Sequence, residues 1–196
     1  MMESLVRQLV WTDFRLAVLF TVFLPLVLLV WAFRVNAVAI RRSLVIYWRV
    51  ASLLAITVYL MIGGLPISFL TSLAARILIP LSLWFWQDIN EDIETTRGAI
   101  KPLYQIWRWA MTAYKLVGTG ISIAFIGCAF VPAAQLGATC KIWFEPPMAF
   151  KALFHTNIPT GNLGVWGIIG LTIYCFYLAS FVLFRLPQQG RIAFRD

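Results

Sequence analysis

Long apolar runs separated by short polar breaks dominate the chain, and their lengths set the expected architecture. A helix crossing about 30 Å of hydrocarbon needs about 20 mostly apolar residues, because lipid cannot satisfy an open backbone. Five stretches qualify. The first runs from about Leu16 to Phe33, with Pro25 near its middle removing one helix hydrogen bond and predicting a mild kink. The second runs from about Leu44 to Ile62 and ends in the tight turn Gly63, Gly64, Leu65, Pro66. The third starts at Pro66, a favourable first helical position, and ends at the aromatic cluster Trp84, Phe85 and Trp86, which suits a headgroup boundary. The fourth covers about Trp109 to Val131 and the fifth about Leu163 to Phe184. The expected fold is a single all-α domain over 1–196, a polytopic bundle of about five transmembrane helices.

Composition agrees with lipid as the main solvent. Hydrophobic residues make up 61% of the 196 and charged residues 12%, against roughly half and a quarter in soluble domains. The net charge of +8 is spread singly between the apolar runs, not gathered into the stripe that nucleic acid requires. No nucleic-acid partner is expected. The first apolar run is too long for an ordinary signal-peptide core and is read as a retained span.

Charge placement instead predicts orientation, since basic loops stay on the cytoplasmic side. With five spans, one side holds Arg34, Arg41, Arg42, Arg49, Arg97, Lys101, Arg108, Lys115, Arg185, Arg191 and Arg195, eleven in all; the other holds the four residues Arg7, Arg15, Lys141 and Lys151. The N-terminus, the GGLP turn and the loop from Pro132 to Asn162 are therefore expected outside or in a lumen, and the C-terminus in the cytoplasm.

Arg76 belongs to neither side. It lies about ten positions into the third span, where a charge costs about 2.5–3.5 kcal/mol. Ser68, Ser72 and Arg76 recur every fourth residue and share one helix face, which should turn away from lipid. No Asp or Glu falls inside any of the five stretches. The counter-charge is thus expected from a partner subunit, a lipid phosphate, carbonyls or water, and the residue is either an anion, lipid or partner contact or a structural group bonding freed carbonyls. Thr112, Lys115, Thr119 and Ser122 form a second polar seam in the fourth span, flanked by small residues that permit close helix approach. Gly164, Gly167 and Gly170 give the fifth span a similar small face. Packing within the bundle is the favoured use of both over a substrate path.

Outside the spans, Asp88, Glu91 and Asp92 share a helix face and suit a cytoplasmic docking surface for a basic partner better than a hard-cation site. His155 is a weak candidate for holding a porphyrin-type metal, and a single His excludes bis-His haem within one chain. Cys128 and Cys140 lie on the same, oxidising side and twelve residues apart, so they form either a disulfide or two free thiols. No catalytic motif of the nucleophile-elbow, phosphate-loop or zinc-protease type is present, and an enzyme is not expected.

The stretches VWTDFRLAVLFTVFLPLVLLVWAF, VIYWRVASLLAITVYLMIGGLPISF, ARILIPLSLWFWQDINEDIE and WFEPPMAFKALFH resemble a family of cyanobacterial integral membrane proteins that has no established activity. The resemblance implies a thylakoid or plasma membrane of a photosynthetic prokaryote. The resulting expectation is a non-enzymatic accessory subunit or assembly factor of a larger complex of photosynthetic or respiratory electron transfer, in contact with membrane lipids and with lipid, chlorophyll or carotenoid as its conceivable ligands. A small anion permease using Arg76 and the Lys115 seam is the second expectation, and an intramembrane enzyme acting on lipids the third.

Overall fold

The computed structural model describes residues 2–185, which are all-helical with no strand in that range. Four helices are long and apolar enough to cross a membrane: Glu3–Arg34, Val38–Ile62, Ile67–Trp84 and Thr160–Phe184.

The first of these begins well before the apolar run. Helix α1 (Met2–Ala17) continues through a π-helical turn, Val18–Phe23, into α2 (Leu24–Arg34). The π-turn is placed by Pro25, whose ring nitrogen cannot donate to the carbonyls four or five residues before it, those of Thr21 and Phe20. Both acceptors are taken up by other helices: Tyr47 Oη donates to the Thr21 carbonyl (2.7 Å) and Trp107 Nε1 to the Phe20 carbonyl (3.0 Å). The predicted kink is thus a docking point for two aromatic side chains.

Helix α3 (Val38–Ile62) ends where Leu65 N–H bonds back to the Leu60 carbonyl across Gly64, whose φ of 68 belongs to the left-handed region that glycine tolerates. The chain reverses into α4 (Ile67–Trp84), and the α3–α4 hairpin is stitched by Thr57 Oγ1 donating to Thr71 Oγ1 (2.8 Å). A short α5 (Gln87–Thr95) follows, then α6 (Ile100–Ala124), which packs on α4 and α2. Beyond a 3-10 turn (Ile126–Phe130) and a second at Ala133–Gln135, short helices α7 (Ala138–Ile142) and α8 (Glu145–Phe154) precede α9 (Thr160–Ser180) and a closing π-turn, Phe181–Arg185.

The start of the fourth span differs from the sequence reading, which ends runs at charges, because here several charges point inward. The fourth helix starts at Ile100, nine residues earlier than expected, because Arg108 is only 5% exposed and stacks on the Trp84 ring at 3.9 Å while its Nη1 donates to Asn90 Oδ1 (2.7 Å). Arg108 and Lys115 are buried within α6 and are not loop charges, which corrects their assignment to one face of the membrane. The expected loop from Pro132 to Asn162 contains α7 and α8. Arg191 and Arg195 lie outside the described residues.

The glycine face of α9 packs on α3. A Cβ at Gly167 would lie 2.9 Å from the Leu60 amide nitrogen, and one at Gly63 would lie 2.6 Å from the Gly164 Cα. At these points the two backbones are in direct contact, as small-residue helix pairs in lipid require.

Candidate functional site: a buried ion cluster joining α1, α4 and α6

Helix α4 carries Arg76 on the same inward face as Ser68 and Ser72, and all three are buried. The guanidinium does find a carboxylate inside the chain. Nη1 donates to Asp13 Oδ1 (3.2 Å) and Nη2 to Asp13 Oδ2, a two-pronged pair whose side chains are 7% and 16% exposed. This corrects the expectation that a partner subunit, a lipid phosphate, carbonyls or water would supply the counter-charge. Asp13 precedes the apolar run, yet α1 continues the same helix upstream and carries the carboxylate into the bundle.

Tyr114 Oη completes the anion's shell, donating to Asp13 Oδ1 (2.9 Å) and to the Asp13 backbone carbonyl (3.0 Å). On the far side, Arg76 lies directly on the α6 backbone: a Cβ at Gly118 would meet Nη1 at 1.8 Å. Any larger residue there would have to push the guanidinium aside. Glycine at 118 is therefore part of the site, making the slot that the guanidinium fills.

Lys115, 1% exposed, is one turn from Gly118 on α6. Its Nζ lies 4.9 Å from the Tyr114 ring centroid, a cation–π distance, and among the described residues it has no hydrogen bond or ion pair to a carboxylate. Arg76 Nε and Ser68 Oγ are buried without hydrogen-bond partners among the described residues. The cluster thus holds two cationic side chains for one carboxylate, with donors in excess. Thr112 and Thr119, assigned to the same seam by spacing, spend their hydroxyls on the Arg108 and Lys115 carbonyls of their own helix (2.8 Å each).

Residues 7–194 match the model of a family described as "Protein of unknown function (DUF3177)". The chain belongs to the DUF3177 family. The match takes in every member of the ion cluster of this DUF3177 protein, from Asp13 to Gly118. No curated protein and no solved structure matches the chain.

The remaining candidates are dispersed in the DUF3177 chain. Cys128 and Cys140 are joined by a disulfide with Cα atoms 5.9 Å apart, tying the turn after α6 to α7. Nearby, Arg7 Nε donates to both Glu145 oxygens (3.0 Å each) and Trp11 Nε1 to Oε2 (3.3 Å), clamping α1 to α8. The Glu145 carboxyl is held below its usual range, first by the Arg7 hydrogen bond. Nothing in the residue pattern points to this clamp, since its two ends are 138 residues apart. His155 Nε2 lies 3.0 Å from Tyr59 Oη and its ring meets Phe150 edge to face, so one of its two ring nitrogens is engaged. Asp88, Glu91 and Asp92 sit on α5; Glu91 is exposed, while Asp92 lines a cavity of about 380 Å³ with Arg42 and Arg97. Among the described residues no three His, Cys, Asp or Glu side chains converge as a metal site.

Proposed function

We propose that this protein is a non-enzymatic accessory subunit or assembly factor of a larger membrane complex, built on five membrane spans with the N-terminus outside and the C-terminus in the cytoplasm. The observation that carries the reading is α9. Its exposed residues include Val165, Trp166, Ile168, Ile169, Ile173 and Phe176, whereas only Leu163, Gly164, Gly167 and Tyr174 are buried. A 25-residue candidate span that uses one narrow face on its own chain leaves the rest of its surface for lipid and for a partner's helices. The carboxylate of the ion cluster, Asp13, is by contrast already taken up by Arg76 and Tyr114, which argues against its serving as the acid or base of a lipid-acting enzyme.

The fifth span in this proposal is α6. Its inward face holds Tyr104, Arg108, Met111, Lys115, Gly118 and Ser122, and its outward face Leu103, Ile106, Trp109, Leu116, Val117 and Ile123. A helix with apolar residues outward and charges inward suits lipid, and Arg108 and Lys115, which lower its mean hydropathy, are both buried. The orientation rests on the basic residues, which still favour the same side after Arg108 and Lys115 are set aside. The resemblance to cyanobacterial proteins supports a thylakoid or plasma membrane of a photosynthetic prokaryote, photosynthetic or respiratory electron-transfer machinery as the host, and chlorophyll, carotenoid or lipid as candidate ligands.

The test is purification from native membranes in mild detergent through a C-terminal tag, followed by a native gel, absorbance and mass spectrometry. Co-migration with stoichiometric subunits of one large complex is expected. Recovery only as a colourless particle of this 22.3 kDa chain overturns the reading.

One observation favours a second reading, a small anion permease: the surplus ammonium of Lys115 beside Arg76. In that case Lys115→Met abolishes anion uptake into proteoliposomes while expression is retained, and unchanged flux removes the idea.

A further inference from the structure

The segment between α6 and α9 was expected as an aqueous loop. Its longest element, α8, has a surface that water does not suit. Met148, Ala149, Ala152 and Leu153 fall on one arc of the helix by their i, i+4 pairing. Within that arc Met148 is 40% and Leu153 78% exposed, and Phe154, at the helix end, is 68% exposed. Glu145 stands one turn earlier at the head of the same arc, where the clamp to α1 engages its carboxylate, and Lys151 flanks the arc; from Met148 to Leu153 the arc itself carries no charge.

The depth of this face is fixed by the contacts of the helix. The residue that ends α8, His155, is hydrogen-bonded to Tyr59, and Tyr59 is three residues, about 4.5 Å, inside the Ile62 end of α3. The first turn of α9 touches the same end of α3 through Gly164 and Gly63. The C-terminus of α8 is therefore level with, or slightly inside, the ends of two candidate membrane spans. At that level Met148, Leu153 and Phe154 are exposed.

We propose that α8 is an in-plane membrane helix, its Met148–Leu153 arc and Phe154 seated among the headgroups and upper acyl chains of the leaflet at the GGLP-turn end of the bundle. The occupant of this face is lipid, not a second copy or a partner protein. Interfacial amphipathic helices sit about 5–10 Å into the headgroup–acyl boundary, and Leu153 is expected at such a depth. Because the Arg7–Glu145–Trp11 clamp joins α8 to α1, a leaflet that grips α8 also fixes where the first helix stands.

The experiment is nitroxide labelling of Leu153→Cys in a Cys175→Ser background, with the full chain in lipid nanodiscs. Collisions with oxygen, enriched in lipid, are compared with collisions with a water-soluble nickel chelate. Leu153 packs against little, so the substitution leaves the fold intact. Cys175 of the parent chain, exposed on α9, serves as the lipid standard, and Glu94→Cys, on the exposed part of α5, as the water standard. The expected result is an oxygen-to-nickel ratio at 153 far above that at 94 and a depth about 5–10 Å below the phosphates. Nickel access equal to position 94 means the face meets water; low access to both reagents means a protein covers it; dipolar broadening between labels means a second copy does. Each of these three overturns the proposal. A water-like ratio at Cys175 as well would instead sink the membrane reading on which the proposal rests.

Discussion

At the scale of single residues, the ion pair between Asp13 and Arg76 is expected to be costly to break and cheap to remove whole. Taking away one partner leaves the other buried without compensation, at about 3–5 kcal/mol, whereas an apolar pair of similar volume is often neutral or better. Asp13→Leu and Arg76→Leu should each lower the thermal midpoint in detergent strongly, and the double variant should recover most of the loss. Independent, additive losses would show that the pair is not coupled. Arg76 was legible from sequence as a charge inside an apolar run, and so was its inward direction from Ser68 and Ser72. Its partner was not. Asp13 lies outside every hydrophobic window, 63 residues away, and only the upstream continuation of a regular helix brings it to Arg76. Gly118 was seen as a small residue permitting close approach, but nothing in sequence says that a guanidinium takes the space.

Among the elements, the π-turn before Pro25 depends on side chains from two other helices. Tyr47→Phe removes the donor to the Thr21 carbonyl and leaves a buried acceptor unpaired, at a cost of about 1–3 kcal/mol. The measurement is the change in unfolding midpoint of Tyr47→Phe in the native chain and beside Pro25→Ala. In the second background the backbone regains its own N–H, so the penalty should shrink; an equal penalty in both would mean that the hydroxyl serves some other contact. The positions of the helices could be read because apolar run length and Gly-Pro turns act locally. Their ends could not, since Arg108 and Lys115 look like boundary charges until the ring of Trp84 or Tyr114 that shelters each is known.

For the molecule as a whole, the region beyond α6 is braced by the disulfide and by the clamp of Glu145 to Arg7 and Trp11. The carboxyl's pKa is depressed in the folded protein, so its contribution is fully present above the ordinary carboxylate range and lost as pH falls through the lowered folded value. Stability plotted against pH should therefore decline on the acid side, and Glu145→Gln should flatten that part of the curve. An unchanged acid limb would assign the loss to other carboxylates. The clamp is exposed, so its effect is modest and weakens with salt.

The position of Asp13 also bears on how the protein is made. Ribosomes deliver α1 before α4, so the carboxylate is already waiting when Arg76 emerges. An arginine that would be expensive to insert alone enters beside an acceptor synthesised earlier, and Tyr114 arrives last to close the site. Trimming the N-terminus back to the start of the apolar run would spare the first span, yet the helix left stranded would be α4.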